Sequence, residues 1–164
     1  MARLKGFERL TNVDEALSMF LKALKPKRLG AERVSVEEAL GRVAAEDILA
    51  PDDLPSVDRS AADGYAVRSE DTSEASQFKP KKLRLIHRGA VGRGQAMRIW
   101  TGNPLPRGAT AVIMLEQTRQ LKGGSIEVIS AVTPGENVSR KAEDIKKGEV
   151  AVQSGARLQP HHIG

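Results

Sequence analysis

The chain has 164 residues, no cysteine and only five aromatic residues, so its core must be built from Val, Ile, Leu and Ala. Disulfides, thiolate catalysis and cysteine zinc sites are excluded. A net charge of +5 and a pI near 9.7 suit an anionic small-molecule partner such as a phosphate or an oxyanion. Nucleic acid is disfavoured, because aromatics for base stacking and a recognisable reading helix are lacking. The apolar runs, such as "ATAVIML", are far too short to cross a bilayer. The start, "MARLKGFERL", lacks the apolar segment of a signal peptide, and a cytoplasmic protein with no membrane partner is expected.

In "TNVDEALSMFLKALKP", Val13, Ala16, Leu17, Phe20, Leu21 and Leu24 recur at helical spacing and predict one amphipathic helix, its stripe packed into the core. Thr11 or Asn12 caps it, Asp14 and Glu15 suit its positive end, and Pro26 stops it. Ser35 and Glu38 form an S-x-x-E capping box for a short helix closed by Gly41. "RVAAEDILA" reads as a strand, and Pro51 and Pro55 frame a linker after it.

From there to about Asn137 the pattern is β. "GYAVR", "KLRLIH", "AMRIW" and "TAVIMLEQT" are short strands, and "TRQLKGGSIEVIS" is a hairpin turning at Gly123-Gly124. "RGAVGRGQ" is a glycine-rich bend without the Gly-Lys-Ser/Thr ending of a phosphate-binding loop. The tail holds two further β pieces around Gly148 and Gly155, and "QPHHIG" reads as a helix entrance cut short.

The three histidines, His87, His161 and His162, have neither a serine-acid arrangement nor metal-ligand spacing, which speaks against a catalytic triad and against zinc. Three loops are crowded with functional groups: "SVDRSAADGYAVRSED", "WTGNPLPRGATAV" and "ENVSRKAEDI". Alone, each reads as an ordinary turn or a solvated charge run.

Together, their order and spacing resemble the N-terminal region of the molybdenum insertases, MoeA and the matching part of gephyrin. Members of that family read approximately "GRVLAEDV.AP.DLPPFDNSAMDGYAVR", then "TGAPVPEGADAVVM.E", then "GENIRRRGEDI". Here the same positions carry "GRVAAEDILAPDDLPSVDRSAADGYAVR", "TGNPLPRGATAVIMLE" and "GENVSRKAEDI". The chain departs from the pattern at Arg59, Ala62 and Ala142, where Asn, Met and Gly are usual, and at Ser139, where the first arginine of the tail loop is usual.

The resemblance implies a mixed α and β, β-rich, elongated two-domain fold with coiled or bifurcated sheets and a discontinuous first domain. Residues 1–50 would form its first part, 51–137 an inserted β domain, and 138–164 the return. It implies a transferase of molybdenum cofactor biosynthesis that inserts molybdate into adenylylated molybdopterin and releases AMP with the help of magnesium. A homodimer is expected, with the family's third α/β domain or a molybdopterin adenylyltransferase as partner. That third domain is absent here, so the chain alone is expected not to catalyse insertion. The alternative is a non-catalytic scaffold of the same fold holding a separately encoded partner.

Carried over by motif, Asp63, Thr101 and Asp144 are the catalytic candidates, with Asp63 and Asp144 as magnesium ligands. Thr101 would donate a hydrogen bond to a phosphate or oxyanion. Arg140 and Lys141 would pair with substrate oxygens. Ser60, Gly64 and Tyr65 also match the motif and are expected to shape the loop and its substrate-binding face.

Overall fold

A computed structural model describes residues 11–27 and 29–164. The basic start "MARLKGFERL" and Arg28 lie outside the described residues.

Helix α1 (Val13–Leu24) forms as its periodicity predicts. Asn12 accepts a hydrogen bond from the Asp14 amide at its start, and Lys25 ends it in a left-handed conformation. Its stripe is not core, however: no residue of α1 is buried, and Leu17, Phe20, Leu21 and Leu24 are all exposed. The spacing correctly placed these side chains on one face, but nothing among the described residues covers that face. The expected helix at Ser35 is a single 3-10 turn, Val36–Glu38, and Ser35 makes no capping hydrogen bond.

The long predicted strand "RVAAEDILA" shrinks to β1 (Ile48–Leu49), with one further bridge from Val43 to Arg157. The remaining strands are β2 (Arg59–Ser60), β3 (Gly64–Val67), β4 (Lys81–Ile86), β5 (Gln95–Ile99), β6 (Ala111–Met114), β7 (Thr118–Leu121), β8 (Ser125–Val128), β9 (Val138–Ser139) and β10 (Val150–Val152). Strands β6-β3-β5-β4-β8-β7 form one six-stranded sheet, while β1 pairs with β10 and β2 with β9. The β7–β8 hairpin turns through Gly123 and Gly124, both at positive φ as the sequence suggests. The chain thus leaves residues 43–49, builds the sheet from 64 to 128, and returns to pair 150–157 with its beginning.

"RGAVGRGQ" does not make a hairpin, because β4 and β5 run parallel. In the connection between them Val91 is buried and its amide donates to the Arg107 carbonyl.

Side-chain alternation divides the core in two. On one face Tyr65, Val67, Leu83, Ala96, Ile113 and Ile126 pack together. On the other, Ala66, Ile99 and Val112 are covered by Leu105, Ala109 and Val138. This second cluster anchors the functional loops, because Leu105 and Val138 belong to the segments that follow Thr101 and precede Arg140. No helix of the described residues is long and apolar enough to cross a membrane.

Candidate functional site

The segment 54–63 is the hub onto which the other two motif loops are stitched. Its Ser60 amide donates to the Asn103 carbonyl, and its Ser60 and Asp58 carbonyls accept from Gly102 and Leu105. On the other side β2 pairs with β9, the Ala61 amide donates to the Asn137 carbonyl, and the Ala142 and Asp144 amides donate to Pro55 and Leu54. Three stretches separated by about forty residues each therefore meet at one place, as the backbone bonds require.

At one end stands Asp63. Its Oδ1 accepts from both the Thr101 amide and the Thr101 hydroxyl, each at 2.8 Å. The Thr101 amide above all, then its hydroxyl, holds the Asp63 carboxyl below the usual carboxylate range, with the charge of Arg98 adding to the effect. Asp63 is exposed and ionised near neutrality, with Oδ2 free of protein donors among the described residues. In this geometry the Thr101 hydroxyl proton is donated to Asp63. Thr101 thereby orients the carboxylate.

Beside Asp63, the Arg98 guanidinium lies 4.5 Å from the centre of the Trp100 ring and 5.2 Å from that of Tyr65, and donates to the Tyr65 hydroxyl at 3.0 Å. Cation–π contact of this kind orients both partners. Neither Arg98 nor Trp100 is singled out by spacing. Their juxtaposition follows from the β3–β5 register, which sets Arg98 directly across from Tyr65.

At the other end Asp58 clasps the tail loop. It accepts from the Lys141 amide at 2.8 Å and from Arg140 Nη1 at 3.1 Å. The Lys141 amide, more than the Arg140 guanidinium, holds its carboxyl low. Lys141 Nζ reaches Asp53 at 3.1 Å, and Asp53 also accepts from the Lys147 amide, which is the main reason its carboxyl is lowered. Both Arg140 and Lys141 are thus engaged by carboxylates, which partly neutralise them as anion binders. Asp53 and Asp58 were legible only as turn acids, since nothing local in the sequence names a partner more than eighty residues away.

Ser60 and Tyr65 are 1% and 3% exposed, and Gly64 is buried between strands, so all three shape the loop from beneath. The Ser60 hydroxyl bonds to the Ala62 carbonyl at 2.5 Å and Tyr65 belongs to the core. Gly64 is dictated by close approach: a Cβ there would stand 1.9 Å from the Ile113 carbonyl oxygen. Asn137, from the "GEN" of the tail motif, seats that loop by donating to the Val112 carbonyl at 2.9 Å.

Asp144 is exposed, and no hydrogen bond or ion pair links it to Asp63, which lies at the far end of segment 54–63. Among the described residues no group of three or more His, Cys, Asp or Glu gathers as a metal cage. One oxygen of Asp63 is open, and Asp144 is a separate exposed carboxylate at the other end of the segment.

The motif set has close counterparts. The family described as the MoeA N-terminal region (domain I and II) matches residues 11–164. A putative molybdopterin biosynthesis protein of Methanocaldococcus jannaschii is 42% identical over 160 residues, 98% of this chain and 38% of that protein. A molybdopterin molybdenumtransferase of Haemophilus influenzae is 37% identical over 161 residues, 92% of this chain and 38% of its own length. The crystal structure of a molybdopterin biosynthesis MoeA protein from Pyrococcus horikoshii superimposes with a TM-score of 0.77 at 41% identity, over 80% of this chain and 37% of that one. The chain therefore spans less than two-fifths of the length of these relatives. With the three loops gathered on one hub and the whole described length matched, the chain belongs to the MoeA N-terminal region family.

Proposed function

We propose that this chain forms the N-terminal, cleft-building part of a molybdenum insertase in molybdenum cofactor biosynthesis, acting on molybdate and adenylylated molybdopterin with release of AMP. The observation that carries the reading is the double hydrogen bond from Thr101 to Asp63, which joins two separate motifs into one preorganised carboxylate. Asp63, kept ionised, is a hard oxygen donor at neutral pH rather than a proton donor. Thr101 fixes its direction, and the Asp58 clasp holds the tail loop so that Asp144 is presented from the same hub. Asp63 and Asp144 are the residues that would hold magnesium, and such an ion would supply charge neutralisation to the substrate phosphates.

The exposed stripe of α1 supports assembly with further protein, either a second copy in a homodimer or the family's third domain. The same stripe also suits a scaffold that holds a separately encoded partner. A chimaera decides between them: residues 1–164 in place of the matching N-terminal 38% of the Haemophilus influenzae relative. AMP release by the chimaera, abolished by Asp63→Asn and by Asp144→Asn, is expected. A folded chimaera without insertion activity would refute the enzyme reading in favour of the scaffold. The 164-residue chain alone is expected to be inactive.

A further inference from the structure

Two of the departures from the family pattern named above face each other. Arg59, where asparagine is usual, and Ser139, where an arginine is usual, are direct antiparallel partners in the β2–β9 ladder. Opposed residues project from the same face of such a pair. Relative to the family pattern, the arginine of this pair stands on the facing strand, one strand spacing or about 4.8 Å away.

The surrounding charges leave Arg59 as the surplus cation. Asp58 is taken by Arg140 and the Lys141 amide, and Asp53 by Lys141 and the Lys147 amide. Arg59, a half-buried residue, has no carboxylate or other side-chain hydrogen-bond partner among the described residues. It lines a cleft of ≈ 250 Å³ together with Asp53, Ser56, Gly102 and Pro104. Gly102 follows Thr101 directly, so this cleft adjoins the Asp63–Thr101 contact. A planar fork of five donors with no carboxylate in ion-pair contact is complementary to an oxyanion. Asp53, the one acid on the wall, is already neutralised by Lys141.

We propose that Arg59 is an oxyanion-binding residue, holding a tetrahedral oxyanion in this cleft in place of the arginine that the family pattern carries at position 139. Only the identification of that oxyanion with a substrate group, molybdate or the phosphate of the nucleotide, rests on the enzyme reading above.

The test is an NMR titration of the 164-residue chain with sodium molybdate and, separately, with AMP, following the Arg59 Nε–H and the Gly102 amide. Saturable shifts at both groups are expected with at least one of the two anions. Response to molybdate alone identifies a metal-oxyanion site, and response to AMP alone a phosphate site. R59N is expected to weaken binding about tenfold or more, R59K less, and R59N/S139R to return it to within about threefold of the parent. Thermal unfolding checks that each variant is folded. Absence of a saturable shift in the parent, unchanged affinity in folded R59N and R59K, or no recovery in the double variant would each overturn the proposal. The chimaera assay stands apart from this test. Arg59-dependent binding with an inactive chimaera sinks the enzyme reading alone, and an active chimaera with Arg59-independent binding sinks this proposal alone.

Discussion

Ala142 occupies the left-handed region, at φ 60, where the family pattern has glycine. A Cβ in that conformation costs about 1–2 kcal/mol, and glycine, freer in the unfolded chain, gives back about 0.5–1 kcal/mol of that difference. Ala142→Gly should therefore stabilise the chain by about 0.5–1 kcal/mol. The conformation itself is held by the hydrogen bond that the Ala142 amide donates to the Pro55 carbonyl at 2.9 Å and by Asp58 clasping the neighbouring Lys141 amide, so the variant should keep the same loop. For a domain of this size the midpoint of thermal unfolding moves by about 2–4 °C per kcal/mol, and a rise of about 1–4 °C is expected. Ala131→Gly is the control, because Ala131 is an exposed loop alanine without a positive φ. It should lower stability by about 0.5–1 kcal/mol. If Ala142→Gly leaves the midpoint unchanged or lowers it, or if Ala131→Gly raises it equally, the strain argument fails.

Gly64→Ala forces a methyl group against the Ile113 carbonyl and should cost about 3 kcal/mol or more in urea unfolding; a cost below about 1 kcal/mol would mean the strands are not packed this closely. Thr101→Val removes one of the two donors to Asp63 and should move that carboxyl back up toward its ordinary value, read by carbon-detected NMR titration; no movement would deny the contact. Asp53, Asp58 and Asp63 all have folded values below their unfolded ones, so their stabilisation is intact above about pH 4. It is lost as pH falls through the depressed folded values. Asp58→Asn should therefore lower stability at pH 7 yet flatten the loss on acidification, and an unchanged pH slope would contradict the clasp. On α1, Leu21→Glu should change the stability of the isolated chain by no more than about 0.5 kcal/mol, whereas Ile126→Ala in the core should cost about 2–5 kcal/mol. Equal costs would place the helix in the core after all.

Local chemistry carried much of the fold. Short apolar runs rich in branched residues marked the strands of the sheet, paired glycines marked the β7–β8 turn, and helical spacing marked α1, because each depends on residues a few positions apart. The motif loops were legible only together: Asp63, Thr101 and Asp144 were picked out because the order and spacing of three loops resemble the family pattern. Each loop alone reads as an ordinary turn or charge run. What those residues touch was decided elsewhere. The parallel pairing of β4 with β5, the Thr101 donors on Asp63, the Asp58 clasp on Lys141 and the facing of Arg59 with Ser139 all join positions that only the folded backbone brings together. The burial of Tyr65 and the exposure of the α1 stripe were likewise unreadable, since an apolar face has no local signal for what covers it. Short-range sterics and periodicity act within a segment and are written in it. Long-range hydrogen bonds and charge pairing depend on register and topology, and those are properties of the tertiary structure.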